Sequence, residues 1–135
     1  MIQWDESLTT GVKEIDKQHK EIISRINKLI SMTDTEKELE IDKMLRFLGG
    51  YVIDHFNHEE EYMIKYQYPD YDQHKGEHIK FLKNYSSLKK LFDSEGASSL
   101  IINATERQAV EWLVKHIQQE DKKMATFLNS KMKKT

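Results

Sequence analysis

From Val12 almost to the end of the chain, apolar residues return at every third or fourth position, and one proline, Pro69, breaks the pattern. That period belongs to one face of an α-helix; a half-buried strand would alternate every second residue. Four stripes follow one another. The first is Val12, Ile15, His19, Ile22, Ile26 and Leu29, and the second is Ile41, Leu45, Leu48, Val52, His55, Glu59 and Tyr62 or Met63. The third is His74, His78, Phe81, Tyr85, Leu88 and Phe92, and the fourth is Ala109, Leu113, His116, Glu120, Met124 and Phe127. They predict helices over about residues 12–32, 35–65, 70–92 and 105–129, after an arm of about residues 1–11 that carries Trp4.

The residues between the stripes agree with these breaks. Thr33 and Glu36 have the spacing of a capping box. Pro69 suits a first helical turn, where its missing N–H would have no partner anyway. "DSEGASSLIIN" reads as a loop, with Asn103 or Thr105 capping the last helix. Gly49-Gly50 lies inside the second helix and costs about 1 kcal/mol per glycine relative to alanine, so a kink or a close helix contact is expected there. The basic tail "SKMKKT" suits a helix C-terminus and is expected to fray. Four long helices with short connections form an all-α, up-down-up-down bundle, here one domain over residues 1–135.

Composition narrows the function. The 21 basic and 23 acidic residues leave a net charge of −2, which offers no electrostatic footprint for nucleic acid or an anionic membrane. The absence of cysteine excludes disulfides, thiolate catalysis and thiolate metal sites. No apolar run approaches the ~18 residues of a membrane span. "MIQWDESLTT" lacks the basic and apolar regions of a signal peptide. The expectation is a cytoplasmic monomer with no nucleic-acid or membrane partner.

The histidines carry the chemistry. In "HFNHEEEYM", residues 55–63, the stripe through Leu48 and Val52 selects two residues. At roughly 100° per residue, His55 and Glu59 lie within about 40° of each other on the apolar face, and His58 and Glu60 fall on opposite flanks. Glu61 points outward. The same test turns His19, His74, His78 and His116 inward, so five of the six histidines lie on apolar stripes. One histidine on such a face is ordinarily a hydrogen-bonded core residue. Five on four facing helices, with a glutamate, are different, because each unpaired buried polar group costs about 1–3 kcal/mol against a net stability of only ~5–15 kcal/mol. A shared metal centre satisfies all of them. Zinc prefers four ligands, often thiolates; six or seven nitrogen and oxygen donors suit two ions, and imidazole with bridging carboxylate suits iron.

These residues resemble those of the hemerythrins, in particular the single-domain bacterial ones. "DKQH" with His19, "HFNHEE" with His55 and Glu59, "YPDYDQHKGEH" with His74 and His78, and "HIQQED" with His116 and Asp121 occur in the family's order. Trp4 and Gly11-Val12 fit its opening segment, and His58 is additional to its pattern. The resemblance implies two iron ions (Fe2+/Fe3+) joined by an oxo or hydroxo group. His74, His78 and His116 would ligate one iron, His19 and His55 the other, and Glu59 and Asp121 would bridge them. The first iron then has six ligands and the second five, which leaves a position for O2. Trp112 and Leu113 resemble the residues that line the O2 pocket. The implied function is reversible O2 binding for carriage, storage or delivery, not catalysis. The alternative is O2 or redox sensing, or reaction with nitric oxide or peroxide, at the same centre. Spacing alone would select Glu120, four residues after His116. Asp121 comes five residues after and lies roughly 80° off the stripe, so the family's pattern requires the last helix to turn that position inward, by local unwinding or by a wide turn of the π type.

Two enzyme readings fit less of the sequence. "HKGEH" at 74–78 also spells H-x-x-E-H, a zinc peptidase signature with Glu77 as base, but it leaves His19, His55 and His116 unexplained. Di-iron oxidases and ferritins need Glu-x-x-His pairs. The residues three positions before the six histidines are Asp16, Val52, His55, Tyr71, Lys75 and Leu113, none of them glutamate.

Overall fold

The computed structural model describes residues 2–132. Its long helices are α1 (Lys13–Ile30), α2 (Asp34–Phe47), α3 (Ile53–Lys65), α4 (Tyr71–Glu95), α5 (Ser99–Arg107) and α6 (Lys122–Met132). Three widened stretches of π-helix join some of them without a break: π1 (Leu48–Val52), π2 (Gln108–Val114) and π3 (Ile117–Asp121). The result is four rods. α1 is the first, α2–π1–α3 the second, α4 the third and α5–π2–π3–α6 the fourth. α1 packs on α2 and α3, α4 on α3 and α5, and α6 returns to α3, which closes an all-α four-helix bundle. No helix among the described residues is long and apolar enough to cross a membrane.

The rod ends have local causes. At α2 the capping box is complete: the Glu36 N–H donates to the Thr33 hydroxyl and the Thr33 N–H donates to the Glu36 carboxylate. α4 runs to Glu95 and stops at Gly96, whose φ of 77° suits a residue without a side chain. The fourth rod starts earlier than the sequence suggests. Ser98 accepts the Ile101 N–H and caps α5, so 99–104 is helix rather than loop. Ile101 and Ile102 pack there with Ile41 and Leu45. The expected fraying of the tail concerns 133–135, outside the described residues, whereas Ser130–Met132 continue α6. At Gly49-Gly50 the anticipated close helix contact occurs, since a Cβ on Gly49 would collide with the Tyr85 hydroxyl of α4, and the backbone also widens into π1.

The arm lies along the bundle. Leu8 is buried, and Ile2 and Trp4 pack on the main core. Gly11 turns the chain into α1 with a φ of 83°, and Asp16 accepts the Thr10 and Gly11 N–H groups at 2.8 and 3.1 Å. Three bonds then tie the arm to the last rod. Gln118 donates to the Ser7 hydroxyl, Lys122 to the Glu6 carbonyl and Asn129 to the Thr10 carbonyl.

Two apolar clusters fill the bundle on either side of a polar layer. One includes Ile22, Val52, Phe56, Phe81, Leu113 and Ile117, and the other Val12, Ile15, Met63, Tyr68, Met124 and Leu128. On each rod the layer's residues therefore have apolar residues one turn away. Each such side chain contributes about 1.5–3 kcal/mol by burial and keeps water from the layer between.

Candidate metal centre

The polar layer is His19 from α1, His55 and Glu59 from α3, His74 and His78 from α4, and His116 and Asp121 from the fourth rod, all at 3% exposure or less. They form two overlapping groups of donor atoms. Glu59, His74, His78, His116 and Asp121 make one, and His19, His55, Glu59 and Asp121 the other, with the atoms in each within 4.8 Å of one another.

The shared carboxylates face both ways. Glu59 Oε1 lies 3.3 and 3.1 Å from Nε2 of His74 and His78, whereas Oε2 lies 2.9 and 3.4 Å from Nε2 of His55 and His19. Asp121 Oδ1 lies 3.0 and 3.1 Å from Nε2 of His74 and His116, and Oδ2 lies 3.0 Å from Nε2 of His19. Several of these approaches do not follow hydrogen-bond directions. Both Asp121 oxygens, Glu59 Oε2 and His116 Nε2 are fully buried without a hydrogen-bond partner. His19 and His55 place their Nε2 atoms 2.9 Å apart, where a single proton at most fits between them. Buried donor atoms gathered this closely fit a cation in each group, and seven nitrogen and oxygen donors without a thiolate suit iron.

Charge supports this arrangement. Burial pushes the Glu59 carboxyl up, but the His55 charge and the contacts of His19, His55 and His74 hold it well below the ordinary carboxylate range. Burial and the Glu59 charge push Asp121 up, and His116 and His19 bring it below its ordinary value. Burial lowers His19 and His74, yet Asp121 and Glu59 raise them to about 9 and about 10. The carboxylates are thus anionic at neutral pH, and an incoming cation competes with protons for the imidazole nitrogens.

π3 places Asp121. It widens the helix between His116 and Asp121, so the residue five positions on is buried, while Glu120 is half-buried and lines a groove of about 720 Å³ beside the last rod. Trp112 stacks on His116 with ring centroids 4.7 Å apart, and Phe56 stacks on His78 at 3.9 Å. Leu113 lies in the main apolar cluster. Trp112 therefore touches the three-histidine group and also borders the groove. Glu77, the base of the zinc peptidase reading, belongs to neither donor group; it lies 3.6 Å from Lys80.

Periodicity missed two participants. His55 Nδ1 donates to Gln18 Oε1 at 2.6 Å, and the Gln18 amide nitrogen donates to His58 Nδ1 at 2.8 Å. His78 Nδ1 donates to Glu60 Oε2 at 2.9 Å. Helical period puts Glu60 on a flank and gives Gln18 no role, because neither lies on an apolar stripe. Their positions directly beside His19 and Glu59 were the only signal.

The hemerythrin HHE cation-binding domain matches residues 10–128. The chain is 39% identical over 113 residues to a bacteriohemerythrin of Methylococcus capsulatus, covering 84% of this chain and 85% of that protein. It is 31% identical over 120 residues to a hemerythrin-like protein of Naegleria gruberi, covering 89% and 87%. A bacteriohemerythrin of Stenotrophomonas maltophilia is 27% identical over 125 residues, covering 93% and 80%. With two donor groups sharing two buried carboxylates at the centre of a four-helix bundle, and the family's match spanning nearly the whole of it, the chain belongs to the hemerythrin family.

Proposed function

We propose that the chain holds two iron ions and binds O2 reversibly, for carriage, storage or delivery. The observation that carries this reading is the pair of carboxylates, Glu59 and Asp121, each with one oxygen toward either histidine group. His74, His78 and His116 would hold one ion and His19 and His55 the other. When bound, an oxo- or hydroxo-bridged di-iron centre supplies the two electrons that O2 takes up and returns on release.

The chain's own part is confinement. Phe56 meets Phe81 and Trp112 edge-on, Phe81 and Trp112 pack at a tilt, and Leu113, Ile22 and Ile117 complete an apolar wall on that side. Such a wall admits a small neutral gas and excludes water. The carboxylates stay anionic and offset part of the charge of two cations. The names of the similar bacterial proteins lend support to the O2 reading.

Iron analysis and absorption spectra under air and under nitrogen test the reading. Two irons per chain and an absorption band that appears with O2 and disappears on its removal are expected. His74→Ala and His78→Ala should lose both. One zinc per chain, or full iron and unchanged spectra in both variants, would overturn it.

A further inference from the structure

Each donor group contains one histidine whose outer ring nitrogen has a side-chain partner, and the two partners differ in charge. His78 Nδ1 donates to Glu60, a carboxylate at 17% exposure with Lys75 Nζ 3.8 Å away. His55 Nδ1 donates to Gln18, a neutral amide. In the described residues, Nδ1 of His19, His74 and His116 has no partner. A metal-bound imidazole whose second N–H donates to a carboxylate becomes more basic and a stronger ligand, and an amide does this far less.

The two partners also differ in direction. The Glu60 carboxylate can only accept, so it keeps the hydrogen of His78 on Nδ1 and leaves Nε2 bare toward the centre. The Gln18 amide can present either end. His58 favours one of them: with its Nδ1 unprotonated it takes the amide N–H, which leaves Oε1 toward His55. His58, the histidine outside the family's pattern, therefore has a place in this chain: it orients Gln18.

We propose that Gln18 and Glu60 are positioning residues of unequal charge that make the two halves of the centre unequal. Glu60 strengthens the three-histidine half through His78, and Gln18 leaves the two-histidine half the weaker through His55. The inference rests on the two-metal reading above.

Exchange of the two side-chain types tests it, because glutamine and glutamate have the same shape. The full-length, iron-loaded protein is mixed with an excess of a ferrous chelator under nitrogen, and iron release is followed by absorbance. The wild type should release two irons in two phases. Gln18→Glu should slow the fast phase about 10-fold, and Glu60→Gln should speed the slow phase about 10-fold, the lower end of what outer partners of metal-bound histidines contribute. Gln18→Leu, which keeps bulk and loses the acceptor, should speed the fast phase alone. A purely structural role would speed both phases in every variant, and circular dichroism melts identify any variant that has simply loosened. Fewer than two irons in the wild type would refute the two-metal reading itself. Two irons released with phases that do not move in opposite directions in Gln18→Glu and Glu60→Gln would overturn this proposal and leave that reading standing.

Discussion

α4 and the fourth rod face each other across the centre and deliver their donors by different means. α4 is an unbroken helix of 25 residues, and His74 and His78 are four apart on one face of it. The fourth rod carries His116 and Asp121 five apart and passes through two π stretches. Both carboxylates of the layer come from the rods that widen, Glu59 beyond π1 and Asp121 at the end of π3. Histidine has the length to reach the bundle axis from a regular helix. The shorter aspartate needs its backbone rotated toward the centre, and an extra residue in the turn does that. Widening thus aims a carboxylate and moves the stripe beyond it on by one residue, so that Leu128 is buried where regular spacing from His116 selects Phe127, which is half-buried.

Removal of one residue from each rod should separate the two designs most strongly. Without Lys75, every residue of α4 beyond it rotates by roughly 100°, taking His78, Phe81 and Leu88 off the core. Urea unfolding should show loss of most of the ~5–15 kcal/mol typical of such a domain. Without Gln119, which is exposed within π3, the wide turn reverts to a regular one. α6 keeps its face, and the loss should stay near ~1–2 kcal/mol. Equal losses in the two deletions would refute the idea that π3 absorbs one extra residue.

Next in size is the contrast between neighbours in π3. Asp121→Ala should abolish a stable two-iron centre by iron analysis, because it removes an oxygen from each half. Glu120→Ala should retain both irons and O2-dependent spectra. The opposite result would show that regular spacing aims the carboxylate after all.

The glycines of π1 give a smaller contrast. Gly49→Ala should cost about 1–3 kcal/mol, since the new methyl meets Tyr85. Gly50→Ala meets nothing within 4 Å and should gain about 0.5–1 kcal/mol. Thermal melts that move the same way in both would remove the close contact as the reason for the pair. The least effect is expected at His58, on the flank of the widened second rod. His58→Ala should keep two irons by analysis, with at most a modest change in how fast they leave. Loss of an iron would mean that the wrong histidine of 55–63 had been assigned to the centre.

The sequence made the four stripes and the inward histidines legible, because burial and helical period act along the chain and need no knowledge of neighbours. It failed where another rod decides. Residues 99–104 look like loop, with a serine, an asparagine and few periodic contacts of their own. They are helical because Ser98 caps them and Ile101 and Ile102 have Ile41 and Leu45 to meet. Glu120 is the regular choice after His116, and only the widened backbone of π3 turns Asp121 inward. Gln18 and Glu60 escaped notice for the same reason, since their importance lies in ring nitrogens presented by other helices.

The arm has a consequence in time. Its partners Gln118, Lys122 and Asn129 lie 111, 116 and 119 residues further along the chain. At ribosomal speeds of ~5–20 residues per second, they follow it by something on the order of ten seconds. Until they emerge, Ser7, Glu6 and Thr10 have no last rod to bond and Glu59 has no Asp121. Asn27 of α1 can hold Ile2 from early on, but the stretch from Ser7 to Thr10 is fastened by the same late segment that completes the donor set, so the nascent chain closes that strap as it gains its second carboxylate.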